Sequence, residues 1–449
     1  MQTNHSIKQH QFKRSIYRTI NITMESVRQE ISQRYQTDVP TMDVYNKEAM
    51  AIMGMGLPPE EMLKECCSIF QLATANRMKY ELNNSSFLFQ YGPTIGTTEF
   101  RKTLASFLTE GYRSEVHMSD LVQTSGATNG LHLILSTLVD LAGVIFVDEY
   151  TYMIALETIA QFNTMKIVTV PLDEDGPNVA SLQALIDQHR FEAQKGKLFW
   201  GVYYTIPTFH NPTGIVFPAE KCQQLIKLAR ETDILIACDD VYNLLHYDDP
   251  TAPPPKRLFA YDIADMGRMD GWRGNVISNG SFSKILSPGI RLGWMECPPR
   301  CVEAFRNSGV LKSGGAANNY TGGIVCTLIQ MGLAQRQLEH YSTNYSMRLN
   351  AMAQTLEEHL PKECSFRKPK GGYFVWIRFP AHIDCAEFNR YCLEKYSVSA
   401  IPGIRFSITG EARHFIRLTF AFHEPDYLRR SVRTFCQAAK DYLAIVSSS

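Results

Sequence analysis

Residues 198–240 read LFWGVYYTIPTFHNPTGIVFPAEKCQQLIKLARETDILIACDD, and this stretch decides the fold class. The apolar runs at 198–204 and 234–239 have the length of strands, and segment 218–231 between them has apolar residues at helical spacing. Strands that are apolar along their whole length are typical of a parallel sheet that is covered on both faces. The stretch therefore predicts a β-α-β unit and an α/β protein.

The same alternation continues on both sides of this unit. The apolar stretch 131–147 is interrupted by polar residues and is short for a membrane span, so it predicts a buried helix followed by a buried strand. The further predicted elements are strands at 143–148, 167–172 and 276–281 and a helix at 181–191. Together these segments predict one mostly parallel sheet.

The alternation ends in the C-terminal part of the chain. A long helical segment at 333–360 is followed by strands at 373–378 and 415–422 that no longer alternate regularly with helices. This change predicts a second, smaller α+β domain. The expected organisation is an N-terminal arm at 1–50, a large domain at 51–320 and a small domain at 321–449.

Composition excludes several classes of partner. The 449 residues include 45 Lys and Arg and 45 Asp and Glu, so the net charge is 0 and no overall positive field exists to hold nucleic acid or an anionic membrane. The 11 cysteines are too few for a disulfide scaffold and lack the paired spacing of a zinc site. We expect small-molecule ligands, and no nucleic acid, membrane or metal ion.

The first 23 residues differ from the rest in charge. They contain no acidic residue, and Lys8, Lys13, Arg14 and Arg18 lie among polar residues. This composition fits a mitochondrial presequence, but a dispensable or disordered extension before Met24 explains it equally well. The expected location is therefore the cytoplasm or the mitochondrial matrix.

Residues 281–293 read SFSKILSPGIRLG and place Lys284 just beyond the predicted strand 276–281. A lone lysine is usually a solvated surface group. At a strand end of an α/β sheet, however, it lies where ligands bind, and a partly desolvated lysine can form an imine with an aldehyde. Arg291 and Ser281 would add donors suited to a phosphate.

Residues 125–130 read SGATNG and lead into an apolar helix. The free N–H groups at a helix start, together with the helix dipole, favour an anion. An ordinary helix start is the alternative. The segment matches neither a Walker loop nor a dinucleotide fingerprint.

Asp239 and Asp240 end the apolar run 234–239, and Tyr242 follows them. A carboxylate at the edge of a buried sheet is costly without a cationic partner. A protonated ring nitrogen is one such partner, and Tyr242 can return to the same place after the chain turns. The alternatives are a helix cap or a structural ion pair.

Two further motifs place polar groups beside strands. Residues 207–214 read PTFHNPTG, a tight turn with Asn211 at its start, and a purely structural turn would also explain it. Residues 415–420 read FIRLTF and place Arg417 inside a strand pattern. A buried arginine needs an anion, which could belong to the protein or to a substrate. We expect His210 to be structural.

Taken together, these motifs resemble the class I/II aminotransferase family, which consists of pyridoxal-phosphate (PLP) enzymes of fold type I. The resemblance covers roughly residues 50–440. With the segment GGYFVW at 371–376, it is most similar to the subgroup of 2-aminoadipate, kynurenine and broad-specificity aminotransferases. It implies a role in amino acid metabolism and a large domain with a seven-stranded type of sheet.

The resemblance implies a role for each cofactor contact. Lys284 would form the Schiff base with PLP and then shuttle a proton, and Asp239 would keep the ring nitrogen protonated. Tyr242 and Asn211 would bond the phenolic oxygen. Tyr152 would stack on the ring, with Tyr150 as the alternative. The residues implied to hold the phosphate are Gly126, Ala127, Thr128, Ser281, Ser283 and Arg291.

The resemblance also implies how substrate binds. Arg417, assisted by Asn211, would hold the substrate carboxylate, and the backbone of Gly56 or Gly54 would approach the substrate. Tyr91 would reach the phosphate of a neighbouring subunit, which implies a homodimer with shared active sites. For a second substrate carboxylate, Arg77, Arg113 and Arg405 stay open.

The expected reaction is a ping-pong transfer of an amino group from an L-amino acid to a 2-oxo acid, with 2-oxoglutarate as acceptor. The same fold and cofactor contacts also serve lyases, decarboxylases and aminocyclopropane-carboxylate synthases. A non-catalytic PLP sensor is the alternative from another class.

Overall fold

The computed structural model describes residues 51–190, 196–247, 251–266, 272–314 and 317–448. These residues fall within one compact unit, Met42–Ser449. The predicted arm at 1–50 and the presequence or extension at 1–23 lie outside the described residues.

Strands and helices alternate over the first two thirds of this unit. The strands are β1 (Ala51–Ile52), β2 (Leu121–Thr124), β3 (Val139–Asp148), β4 (Lys166–Val170), β5 (Leu172–Asp173), β6 (Gly176–Pro177), β7 (Phe199–Thr205), β8 (Leu235–Asp239), β9 (Val276–Ser281), β10 (Gly293–Glu296), β11 (Ser365–Phe366), β12 (Phe374–Arg378), β13 (Val398–Ser399), β14 (Ile401–Pro402) and β15 (Phe415–Thr419). The helices are α1 (Glu60–Leu82), α2 (Thr98–Tyr112), α3 (Ala127–Leu138), α4 (Met153–Ala160), α5 (Val179–Arg190), α6 (Ala219–Thr232), α7 (Leu258–Met266), α8 (Pro299–Arg306), α9 (Gly309–Gly314), α10 (Asn319–Gln330), α11 (Leu333–His359), α12 (Cys385–Tyr396) and α13 (Pro425–Ser448).

A seven-stranded sheet in the order β2-β10-β9-β8-β7-β3-β4 forms the centre of the protein. The neighbouring pairs β9-β8, β8-β7, β7-β3 and β3-β4 are parallel, and β10 is antiparallel to both of its neighbours. The prediction of a mostly parallel sheet is confirmed. Strands β2 and β10 are not predicted from the sequence, because each has only four residues and carries polar groups such as Gln123 and Glu296.

Helix α6 shows how the sequence covers this sheet. Its buried residues Cys222, Leu225, Ile226 and Ala229 recur at the spacing of one helix face. They belong to the same apolar cluster as Ile236 of β8. Burial of this face fixes α6 on the sheet.

The C-terminal part contains a four-stranded sheet in the order β11-β12-β15-β14. Strand β1 pairs in parallel with β13, so residues near 51 lie beside C-terminal residues. The domain boundaries at 50/51 and 320/321 stay a prediction. Within the part of the chain that the structure describes, no helix is long and apolar enough to span a membrane.

A buried ion pair offers a test of the fold. Arg257 binds Glu296 through two hydrogen bonds of 2.6 and 2.8 Å, and each side chain is 1% exposed. Removing one partner leaves the other charge buried, so Arg257→Met should lower the free energy of unfolding by about 3–5 kcal/mol. Denaturant unfolding of the purified protein measures this change.

The matched control for this variant is Arg429→Met. Arg429 pairs with Asp426 on the surface, where the two side chains are 42% and 85% exposed. Its loss should cost about 0–1 kcal/mol. Equal losses in the two variants would contradict the role given to the buried pair.

Candidate active site

Lys284 lies in the turn that follows β9, where parallel neighbouring strands end at the same edge of the sheet. Its Nζ donates a hydrogen bond to the carbonyl oxygen of Gly56 at 2.9 Å. Burial lowers the pKa of Lys284 to about 8, with a further lowering from the charges of Arg417 and Arg291. The charge of Asp239 opposes this shift. Near neutral pH the amine is therefore neutral far more often than an exposed lysine.

Asp239 ends β8 and is 8% exposed. The hydroxyl of Tyr204 donates to Oδ2 at 2.8 Å, while Oδ1 has no hydrogen-bond partner among the described residues. Burial raises the pKa of Asp239 to about 6, and the charge of Asp240 adds to this rise. A buried carboxylate oxygen without a partner fits the protonated ring nitrogen that the resemblance implies. Asp240 accepts instead from the Ser278 hydroxyl at 2.5 Å.

Arg417 lies on β15 and is 2% exposed. It donates to Asn211 Oδ1 and to the carbonyl oxygen of Gly54, both at 2.7 Å. Burial lowers its pKa to about 10, and the charge of Arg405 contributes to the lowering. No carboxylate of the described residues forms an ion pair with Arg417. Its hydrogen-bond partners are neutral oxygens, so a ligand carboxylate would supply the missing negative charge.

Polar groups beyond β9 form a cradle with the start of α3. The Arg291 guanidinium donates to Ser283 Oγ at 3.3 Å and to the carbonyl oxygen of Ser125 at 3.3 Å. Ser281 Oγ lies 2.9 Å from Ser283 Oγ. The structure thus brings the predicted phosphate donors Arg291, Ser281 and Ser283 together.

Gly126 connects this cradle to helix α3. Its φ is 95°, and a Cβ there would lie 2.9 Å from an Arg291 nitrogen, so the backbone approach requires glycine. Ala127 is the first residue of α3, Thr128 follows, and the helix has no side-chain cap. Their N–H groups therefore belong to the unsatisfied first turn of the helix.

Two predicted tyrosines also lie near this edge. Tyr242 is buried, and Lys284 Nζ lies 5.9 Å from its ring centroid. Tyr152 precedes α4, and burial raises its pKa to about 12, with the charge of Asp239 adding to the rise. The alternative Tyr150 instead packs on Trp376 and Phe415, at 6.3 and 5.6 Å between ring centroids.

The two candidate glycines occupy different places. The carbonyl of Gly54 accepts from Arg417, and the carbonyl of Gly56 accepts from Lys284. Added side chains would collide, because a Cβ would lie 2.8 Å from Ile401 at Gly54 and 2.6 Å from Phe374 at Gly56. Both backbone segments therefore reach the site.

Some predicted residues lie elsewhere in the single chain. Tyr91 is 75% exposed on the loop after Phe87–Phe89. Arg77 binds Glu81 and Glu99, and the exposed Arg113 donates to the carbonyl of Thr251. Of the three arginines left open, Arg405 is the one whose charge acts on Arg417.

Two contacts that support the site, those of Tyr204 and Asp148, are not predicted from the sequence. Tyr204 contacts Asp239 but reads as one more apolar strand position. His210 is fully buried, with Nε2 3.2 Å from Asp148 and Nδ1 3.0 Å from Thr213 Oγ1, which agrees with a structural role. Asp148 ends the apolar strand β3, and a carboxylate at that position could have predicted a buried contact of this kind.

Comparison with known proteins identifies the family. Residues 64–435 match the model of aminotransferase class I and II, so the chain belongs to this family. Aromatic-amino-acid aminotransferase 1 of Thermococcus litoralis is 30% identical over 355 residues, which cover 78% of this chain and 80% of that protein. The 2-aminoadipate transaminase of Thermus thermophilus is 28% identical over 393 residues, 87% of this chain and 90% of that protein.

A solved structure agrees with this assignment. Kynurenine aminotransferase of Pyrococcus horikoshii matches with a TM-score of 0.76 and 25% identity, covering 92% of this chain and 95% of that chain. The predicted fold type I is confirmed. The protein is a PLP-dependent aminotransferase.

The shifted pKa of Asp239 predicts a stability change. Its pKa in the folded chain lies above the ordinary value of 3.8, so the folded state binds the proton more tightly and loses stability as the pH rises through about 6. Near pH 8 this loss is up to about 3 kcal/mol. In the cofactor-free protein, Asp239→Asn should therefore raise the free energy of unfolding by about 1–3 kcal/mol.

Urea unfolding at several pH values measures this gain, which should shrink as the pH falls towards about 4. Asp426→Asn, at an 85% exposed position, is the control that should give no comparable gain. With PLP bound the order of the two proteins should reverse, because the carboxylate then has its cationic partner. A gain for Asp239→Asn that is independent of pH would contradict the assigned cause.

Proposed function

We propose that the protein transfers the amino group of an L-amino acid to a 2-oxo acid by a ping-pong mechanism, with Lys284 as Schiff-base lysine and proton carrier and 2-oxoglutarate as acceptor. The observation that carries this proposal is Arg417. It is a buried cation without a carboxylate partner among the described residues, at a site that also contains the partly buried Lys284 amine and the unpaired Asp239 oxygen. A substrate with an amino group and a carboxylate complements these charges.

When PLP is bound, its ring accepts the electron pair that is released when the substrate Cα–H bond breaks. Asp239 would hold the ring nitrogen in its protonated form, and Tyr204 keeps that carboxylate in place. The phenolic oxygen of the cofactor would bind to Asn211 and Tyr242, and Tyr152 would stack on the ring.

Lys284 would accept the proton from the substrate Cα and deliver it to C4′, the former aldehyde carbon of the cofactor. A pKa of about 8 suits this role, because the amine then exchanges a proton readily near neutral pH. Arg417 would fix the substrate carboxylate with two parallel hydrogen bonds, so that the Cα–H bond faces Lys284 Nζ. Gly54 and Gly56 limit the space on this side of the substrate.

The cradle would hold the phosphate. Arg291, Ser281 and Ser283 offer side-chain donors, and residues 126–128 offer backbone N–H groups with the dipole of α3. The phosphate would then anchor the cofactor between α3 and the turn after β9.

The positive charge near Arg417 supports a 2-oxo dicarboxylic acid as the acceptor. Arg405 adds a second positive charge near Arg417. The name 2-aminoadipate transaminase in a relative also refers to a dicarboxylic amino acid. We therefore place 2-oxoglutarate first among the acceptors.

A homodimer would complete the site. Tyr91, Phe89 and Tyr320 are 75%, 67% and 44% exposed, and the rings of Phe89 and Tyr320 lie 5.8 Å apart. Exposed aromatic side chains of this kind favour a partner surface. From there, Tyr91 would reach the phosphate of the neighbouring subunit.

An absorption experiment tests the reaction. The wild-type protein with PLP should show a visible band, and L-glutamate without any 2-oxo acid should convert it to a near-ultraviolet band that 2-oxoglutarate then reverses. Lys284→Ala should lose the visible band and reduce turnover by at least about 1000-fold, because the same amine binds the cofactor and moves the proton. A lyase or decarboxylase would turn over continuously without an oxo acid, and a visible band that no amino acid shifts would favour a sensor.

Mixed dimers test the shared site. A hybrid of a Lys284→Ala subunit and a Tyr91→Ala subunit contains one site with Lys284 and a partner's Tyr91 both intact. Activity should therefore rise above that of either parent, towards about half of wild type. If the hybrid stays at the mean of its parents, the two residues do not come from different subunits.

A further inference from the structure

Tyr373 contacts Lys284, and its neighbour Phe374 contacts Arg417. Neither residue has a role in the reaction proposed above. Tyr373 and Phe374 follow the glycine pair at 371–372, and Phe374 begins β12. Their side chains are 1% and 4% exposed. They belong to the segment GGYFVW, for which the sequence predicts no role in the site.

Tyr373 contacts Lys284 at two places. Its hydroxyl donates to the backbone carbonyl of Lys284 at 3.1 Å and lies 2.9 Å from the Tyr345 hydroxyl. Its ring centroid lies 5.3 Å from Lys284 Nζ, within the range of a cation–π contact. One side chain therefore restrains both the backbone and the amine of the lysine.

Phe374 contacts Arg417. The guanidinium carbon lies 3.9 Å from the Phe374 ring centroid, so the two planar groups are in close contact. The ring is confined on its other sides, because a Cβ on Gly56 would lie 2.6 Å from it and its centroid lies 6.0 Å from that of Tyr242. The ring thus limits how far the guanidinium can tilt.

We propose that Tyr373 and Phe374 form a positioning pair, in which Tyr373 holds Lys284 for proton transfer and Phe374 holds the Arg417 guanidinium for the substrate carboxylate. The inference rests on the proposed function of Lys284 and Arg417. Because the two residues are adjacent in the chain, one short segment contacts both the lysine and the arginine. Neither residue needs to touch the substrate in order to act.

The test uses the PLP-loaded protein and its reaction with L-glutamate, followed by the change in absorption. Phe374→Leu should raise the half-saturating L-glutamate concentration about tenfold, the size expected for losing a buried cation–π contact, and leave the maximal rate within about threefold. Tyr373→Phe should lower the maximal rate about tenfold and leave half-saturation within about twofold.

A spectroscopic readout needs no substrate. Tyr373→Leu removes the ring face that favours a cation at the lysine nitrogen. The midpoint pH of the visible band should therefore fall by about 0.5 unit, whereas Tyr373→Phe should leave it unchanged. Phe374→Leu should also leave this midpoint unchanged.

Two control variants separate positioning from packing. Phe379→Leu makes the same substitution just after β12, where the ring packs on Phe388 at 4.8 Å. Tyr247→Phe removes a hydroxyl that donates to the carbonyl of Gly372 at 3.1 Å without touching Lys284. Both controls should lower thermal stability and leave the rate, half-saturation and band midpoint near wild type.

The proposal is overturned if Phe374→Leu and Tyr373→Phe change the same kinetic parameter, or if both behave like the controls. An unchanged midpoint in Tyr373→Leu overturns the part assigned to the ring. A wild-type protein that forms the visible band but ignores L-glutamate would count against the proposed acceptor. In that case the midpoint pH of the visible band still tests the role of Tyr373. The half-saturation measurement on Phe374→Leu is then made with the amino acid that does react.

Discussion

Burial of ionisable groups whose charges are only partly compensated is the constraint on which the site depends. Asp239, Lys284 and Arg417 converge at one edge of the sheet, and burial shifts the pKa of each towards its neutral form. Such shifts mean that the folded protein loses stability to keep these groups charged and in place. A ligand that carries a phosphate, a cationic ring and a carboxylate would return that stability on binding.

Hydrogen bonds between the ends of neighbouring strands hold the groups of the site in place. Asp148, at the end of β3, accepts hydrogen bonds from Tyr203 and Thr205 of β7 and contacts His210 in the next loop. Because His210 directly precedes Asn211, this buried carboxylate ties the Asn211 turn to two strands. The partner of Arg417 is thus fixed by contacts that involve no ligand.

Much of this arrangement could be predicted from the sequence, and the reason is physical. Strands β3, β7 and β8 are mostly apolar, and polar residues at or after the ends of neighbouring parallel strands gather at one edge of the sheet. That logic located Lys284, Asp239 and Asn211. It could not find β2 and β10, because a strand of four residues is too short to show a pattern.

Aromatic residues mark the limit of that approach. The sequence pattern makes Tyr204, Tyr373 and Phe374 look like core residues. Only the folded chain shows that the Tyr204 hydroxyl and the rings of Tyr373 and Phe374 contact charged groups. For the same reason, the sequence could not decide whether Tyr150 or Tyr152 would stack on the cofactor ring. Tyr150 and Tyr152 are separated by one residue, and the structure shows that Tyr150 packs on Trp376, whereas the charges of Asp239 and Arg417 act on Tyr152.

The site also divides its contacts between the two sheets. Lys284 and Asp239 come from strand ends of the seven-stranded sheet, whereas Arg417 and Phe374 come from the four-stranded sheet. The segment that contains Gly54 and Gly56 connects them, because one carbonyl meets Arg417 and the other meets Lys284. With the roles proposed above, the cofactor contacts would depend mainly on the first sheet and the contacts with the substrate carboxylate mainly on the second. If these roles hold, substitutions on β14 and β15, away from the contact between Tyr373 and Lys284, should change which acids bind while the groups proposed to serve the cofactor stay in place.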